Sequence, residues 1–280
     1  MAGWVDSGDP PLADRISSPT PESRMGDDGL LCYEQPLNER VRTFLRLEHL
    51  TARFHYHAAD HSFWGRRATV DAVLDLLNIM SRHDIRGEVS RALVHRRGTL
   101  AQLADRDDVD GGALARVLAE LDAVSDDMAR IPPQFSSYLL RDNELLASVN
   151  NRSAIAGGTC SFDLPGYRHW LAQPAARLDA DIAAWMSRVS PIENGVTVLL
   201  RLLRDAGEMS RQTAGGGVYL HNTAPGTQLI RVMLDAPSVF PEISAGRHRA
   251  TVRFMSVDPT RGRVRQTDQD ISFGMACCRF

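Results

Sequence analysis

An α+β fold, helical in its amino-terminal part and ending in an antiparallel β-sheet or sandwich with accompanying helices, is predicted by three features of the sequence. Between residues 38 and 206 the apolar residues recur at helical spacing. From Gly215 onward the period shortens to two. Turn-forming residues then separate the alternating runs, at Ala224-Pro225-Gly226, Pro241 and Asp258-Pro259. Helices first and strands last is the order of a segregated α+β architecture.

Residues 1–28 are rich in Pro, Ser, Asp and Gly without an apolar period, the composition of a disordered tail. Met25, near the end of that stretch, is a candidate alternative start. The run Leu30 to Tyr33 reads as a strand. Asn38 then suits an N-cap and Glu39 a first turn, and Val41, Phe44, Leu45, Leu47, Leu50 and Phe54 form one stripe. Further helices are phased by Val70, Val73, Leu74 and Leu77, by Val89 and Leu93, and by Leu114, Val117, Leu118 and Leu121. Pro132-Pro133 interrupts the pattern, and helices resume at about 143–152, 178–189 and 193–206. In the sheet region, Ile230, Val232 and Leu234 alternate with Leu229, Arg231 and Met233. Ala250, Val252 and Phe254 share a face, and Ile271, Phe273, Met275 and Cys277 alternate with small residues. The expected organisation is a tail over 1–28, a helical domain over 38–150 and a β-rich domain over 151–280, joined by a strand at 29–36. Leu30 to Tyr33 and Thr159 to Phe162 are candidates to join the final sheet.

With 280 residues, 43% hydrophobic and 24% charged, the chain has the composition of a globular protein. No apolar run approaches the ~20 residues of a membrane span, and the amino terminus lacks the apolar core of a secretory signal. A formal charge of -3 gives no global attraction to nucleic acid or to an anionic membrane. The cysteines Cys32, Cys160, Cys277 and Cys278 include no CxxC pair, and read as reduced, partly buried thiols in a cytosolic protein. No cofactor motif is present: Gly215-Gly216-Gly217 leads into a strand rather than a helix, and GxSxG and HExxH are missing.

The most enzyme-like string, His55-Tyr56-His57-Ala58-Ala59-Asp60-His61, resembles the HxHxDH motif of metallo-β-lactamase-like hydrolases, with one extra residue before the Asp. It closes a helix, where His57 and His61 would share a face at i, i+4 and His55 would not. A metal-dependent hydrolase is therefore the alternative reading. Two arginine patterns carry more. Arg42, Arg46, His49 and Arg53 line one face of the first helix. Strand alternation sends Arg247, Arg249 and Arg253 to the face opposite Ala250, Val252 and Phe254. Each set reads either as a solvated or edge-protecting charge row or as a grip for an acidic peptide, since guanidinium forks pair with carboxylates.

Four ordered blocks carry a family resemblance: YEQPLNERVRTFLRLEHL (33–50), GGTCSFDLPGYRHWL (157–171), FPEISAGRHRATVRFM (240–255) and the terminal MACC (275–278). Together they resemble the ZapD family. The resemblance implies a non-enzymatic, cofactor-free cytoplasmic homodimer at the midcell division site. It would bind the acidic carboxy-terminal tail of FtsZ and bundle FtsZ filaments, with no nucleic-acid or membrane partner. Carried over by motif, the partner-binding residues are Arg42 and Arg46, Arg249 and Arg253 with neighbouring Arg247, and Arg168. At that last position the family often has His, and here His169 adjoins. Glu144 stands where some members have a basic residue.

Overall fold

The computed structural model describes residues 30–280 except positions 83, 105, 236, 237, 259 and 261, so the tail expected over 1–28 lies outside the described residues. Strand β1 (Leu31–Pro36) is followed by α1 (Glu39–Ala58), α2 (Phe63–Arg82), α3 (Ile85–Ala101) and α4 (Gly111–Ala129). Next come α5 (Phe135–Asp142), α6 (Glu144–Arg152), α7 (Pro165–Leu171), α8 (Ala175–Met186) and α9 (Ser190–Asp205). The chain ends in β2 (Ser210–Ala214), β3 (Val218–Asn222), β4 (Thr227–Leu234), β5 (Val239–Ala245), β6 (Arg249–Val257), β7 (Val264–Gln266) and β8 (Ile271–Arg279).

Helix α1 starts where its sequence dictates. The Asn38 side chain accepts a hydrogen bond from the Val41 amide at 2.8 Å, satisfying one of the orphan donors of the first turn. Its buried stripe is Val41, Phe44, Leu47, Thr51 and Phe54 together with Thr43. Helix α9 is the axis of the helical layer. It buries Ile192, Val196, Leu199, Leu200 and Leu203 and packs against α1, α3, α4 and strand β8. Helices α7 to α9 share one continuous core with α1 to α6.

Two antiparallel sheets, ordered β1-β4-β8-β2 and β3-β6-β5, enclose a second core, with β7 appended to β6. The alternation expected in β4 holds for Ile230, Val232 and Leu234, which face the sandwich interior. Leu229 is equally buried, because the other face of this sheet is covered by helices: Leu229, Ala276 and Cys278 belong to the helical core. The small residues alternating along β8 thus make room for a helical layer. Leu30 to Tyr33 does supply a sheet strand, extended to Pro36 and paired with β4. Thr159 to Phe162 forms turns instead and pairs with no strand. Pro241 is not a turn residue. It sits within β5 opposite Phe254, tolerated because β5 is an edge strand whose outer side needs no amide donor. The glycine run turns the chain from one sheet into the other, with Gly216 and Gly217 at positive φ (55° and 74°).

The layers are locked at one buried point. Arg204 of α9 donates from Nε and Nη2 to Glu34 of β1 at 2.8 and 2.7 Å, and from Nη1 and Nη2 to Glu48 of α1 at 2.7 Å each. Arg231 of β4 lies 3.1 Å from Glu34. Burial opposes the charge on Arg204, but the bonds to Glu48 and Glu34 outweigh it and hold its pKa above the usual arginine value.

Candidate functional site

Strand β6 runs through the middle of its sheet, between β3 and β5. Its Ala250, Val252 and Phe254 fill the sandwich, so Arg249 and Arg253 project from the outer face, where both are exposed. The edge-protection reading fails on this topology, because β6 has no free edge to protect. Arg247 is not on the strand: it occupies the β5–β6 turn, exposed, and owes its position to the turn rather than to strand alternation. Glu242 is the cross-strand neighbour of Arg253. Even so, among the described residues neither Arg249 nor Arg253 forms an ion pair within 4.0 Å.

On α1, Arg42 hydrogen-bonds Glu39 at 3.1 Å and Arg53 pairs with Asp75 of α2. Arg46 between them is exposed and, among the described residues, bonds to no carboxylate. The strand registers show how these two arginine sets are related. Pro36 pairs with Leu229, Asn222 with Arg249, Ala245 with Ala250, and Thr227 with Arg279. The start of β6, the β5–β6 turn and the end of β1 therefore share one end of the sandwich, and α1 begins there. Leu37, just before the α1 N-cap, packs into the sandwich core with Ala245. Arg42, near the start of α1, and Arg247 and Arg249 therefore lie toward the same end of the sandwich, but the helices cover the β1-β4-β8-β2 sheet whereas Arg249 and Arg253 project from the outer face of the other sheet, Arg253 ~13 Å further along.

Arg168 and His169 lie elsewhere. Both are exposed on α7, and the Arg168 guanidinium lies 5.4 Å from the Phe63 ring at the start of α2. Phe63 follows the far end of α1, and Arg42 to Ala58 spans roughly 24 Å of helix. His169 contacts Gln173 Nε2 at 3.1 Å. The fold places the helix arginines on the helical layer and the strand arginines on the outer face of the β3-β6-β5 sheet, and sets the α7 pair on a further surface with Phe63, Trp64 and Arg67. Those three were missed in the sequence. The available signal was two large apolar residues at adjacent helical positions, which cannot both face one core.

The histidine string does not assemble a metal centre. His55 Nε2 lies 2.6 Å from Glu193 Oε1, and that hydrogen bond raises the pKa of the imidazole. Helix α1 ends at Ala58, so His61 is not one turn above His57; it sits instead beside Arg66 and Asp179. Among the described residues no group of three or more His, Cys, Asp or Glu could hold a metal ion. Among the described residues the His55–His61 string therefore gives the hydrolase alternative no metal-binding geometry. Cys277 faces the sandwich and Cys278 the helical layer, both as free thiols, as strand alternation requires. No helix among the described residues is long and apolar enough to cross a membrane.

The family profile ZapD, described as a cell division protein, matches residues 45–253. The chain is 36% identical over 252 residues to cell division protein ZapD of Methylococcus capsulatus, covering 89% of this chain and 98% of the relative. It is 32% identical over 251 residues to the protein of that name from Azoarcus sp., covering 89% and 99%. With that of Ralstonia nicotianae it shares 34% over 254 residues, covering 90% and 100%. On the extent of these matches, the chain belongs to the ZapD family of cell division proteins.

Proposed function

We propose that this protein is a non-enzymatic adaptor that binds the acidic carboxy-terminal tail of FtsZ and cross-links FtsZ filaments at the division site in the cytoplasm. The observation that carries the reading is the pair Arg249 and Arg253, held on a central strand with their hydrogen-bond donors unspent on any carboxylate among the described residues. A rigid β-backbone fixes their separation, which suits two acidic side chains of an extended peptide. Arg247 in the adjoining β5–β6 turn, and Arg42 and Arg46 on α1 toward the same end of the sandwich, would add positive potential that guides the peptide in. A homodimer would present this strand face twice, so that tails from two filaments are held by one particle and avidity compensates for modest affinity at each site.

The test is co-sedimentation of FtsZ filaments with the Arg249→Glu, Arg253→Glu double variant. We expect bundling to be lost while the melting curve stays within about 0.5 kcal/mol of the parent, as for exposed substitutions. Binding by the parent should also weaken steeply as salt rises. Undiminished bundling by the folded double variant would sink the proposal.

A further inference from the structure

Residues 1–29 carry a charge that the rest of the chain does not share. They hold Asp6, Asp9, Asp14, Glu22, Asp27 and Asp28 against Arg15 and Arg24, a formal charge of -4. The whole chain carries -3, so the residues after this segment carry +1. Runs of one charge outside a core commonly act as interaction segments.

The strand registers fix where the segment is attached. Leu31, the first residue of β1, pairs with Leu234, the last of β4. The chain passes from there through 235–238 into β5, whose first residue, Val239, pairs with Ser256 of β6. Strands β1 and β5 also lie side by side where the two sheets meet. The segment therefore joins the fold on the β5 side of the sandwich, one strand away from β6. From Ser256 to Arg253 is three residues, roughly 10 Å at strand rise, and Arg249 stands four residues further on. Glu22 and Asp14 precede Leu31 by nine and seventeen residues, which gives them reaches of up to about 30 and 55 Å. Both arginines are thus within range of acids of their own chain.

The face suits such an occupant. Arg249 and Arg253 are exposed and, among the described residues, pair with no carboxylate. Thr251 between them stands opposite Leu220 of β3, which is 54% exposed. Two cations beside an apolar residue match a segment in which Leu12 and Ile16 flank Asp14. Arg42 and Arg46 are less well placed, beyond the opposite end of β1, and Arg42 already bonds Glu39.

We propose that the acidic segment 1–29 docks on the Arg249–Arg253 face of its own protomer and there competes with the acidic FtsZ tail. The inference rests on the tail-binding reading above and adds regulation of that same site. A tether raises the effective concentration of the segment at the face to the millimolar range for a short connection. A segment that covers the face about nine-tenths of the time lowers the apparent affinity for one free tail roughly tenfold. A filament presents many tails to a bivalent particle and displaces the segment by avidity, so the device favours polymer over free subunits.

Two measurements on the full chain test it. The first is fluorescence anisotropy of the FtsZ carboxy-terminal tail peptide, titrated with the parent and with the variant Asp6→Asn, Asp9→Asn, Asp14→Asn, Glu22→Gln, Asp27→Asn, Asp28→Asn. That variant changes no residue of the described fold. It should bind the peptide roughly tenfold more tightly at low salt, with the gain fading as salt rises. The second is the NMR signal of the Arg249 and Arg253 Nε–H groups in the same two proteins without peptide, identified with Arg249→Lys and Arg253→Lys. Both signals should move between parent and variant, because a carboxylate leaves each guanidinium. Unmoved signals overturn the inference whatever the affinities, since long-range repulsion by the segment would alter affinity alone. Equal affinities overturn it as well, and in either case peptide binding that depends on Arg249 and Arg253 leaves the tail-binding reading standing. Signals that move while neither protein binds the peptide overturn the tail-binding reading and the competition with it. Movement that appears only as protein concentration rises assigns the segment to a second copy and overturns docking within one protomer.

Discussion

Arg204 and Arg249 are the same side chain in opposite circumstances. Arg204, at the joint between the helical layer and the sheet, has 9% of its side chain exposed and shares four hydrogen bonds with Glu34 and Glu48. Arg249, at the rim of the sandwich, is exposed and meets no carboxylate among the described residues. A buried guanidinium that leaves its charge unpaired costs several kcal/mol of stability. An exposed one can keep its donors for a partner. The role of an arginine is therefore read from its acceptors, and neither its residue type nor the local charge density supplies that information.

The comparison is broken or upheld most sharply at Arg204. Arg204→Met leaves Glu48 without its cation and Glu34 with Arg231 alone, and should cost about 3–5 kcal/mol. Arg204→Lys keeps the charge but not the two-sided fork, and should fall between that variant and the parent. Urea denaturation measures both. A loss below ~1 kcal/mol for Arg204→Met would mean that the joint is held by apolar contacts and that its charges are incidental.

A second test at the same joint is apolar. Gly207, just after α9, lies against β8, and a methyl group built on it would meet Cys278 Sγ at 2.4 Å. The Cys278 thiol is buried there, which pushes its pKa up to about 11. Gly207→Ala should cost roughly 1–3 kcal/mol through overpacking. The same substitution at Gly246 in the β5–β6 turn has open space, the nearest atom being 3.9 Å away, and should cost little. Equal melting temperatures for the two variants would show that helix and sheet do not pack closely at this point.

Periodicity made much of this legible. Long stripes, such as Val41 to Phe54, announced α1, and alternation announced β4, β6 and β8. Short elements were missed where the signal is short: α5 and α7 span two turns each, and β5 contains a proline that reads as a break. The two sides of β4 looked unequal in the sequence, yet on the second side Leu229 is buried and Arg231 and Met233 are half-buried, since alternation cannot say that helices will cover that face. The outward aim of Arg249 and Arg253 followed from the pleat. Arg204 was unreadable, because Glu34, Glu48 and Arg204 are far apart in the chain and converge only when β1, α1 and α9 pack. The separation of Arg168 from Arg42 was hidden for the same reason: it depends on which end of α1 the 158–171 segment docks against.

The smallest expected effect concerns a titrating counterpart of the Arg204 lock. His55–Glu193 joins α1 to the first turn of α9, as Arg204–Glu48 joins α1 to its last turn. The hydrogen bond to Glu193 is the larger influence, and it raises the folded-state pKa of His55 above 6.5 although burial opposes it. A raised histidine pKa contributes stability that is fully present below the unfolded-state value and is lost as pH rises through the folded-state value. Stability should therefore fall slightly from about pH 6 to about pH 8, by roughly 0.5 kcal/mol once screening of this partly exposed pair is allowed for. His55→Gln should remove that component of the slope and leave the contributions of the other histidines, so the difference between the two urea midpoints against pH isolates it. Identical slopes would show that the α1–α9 contact is fixed by Arg204 and the apolar stripe alone, and that the protonation state of His55 adds nothing to it.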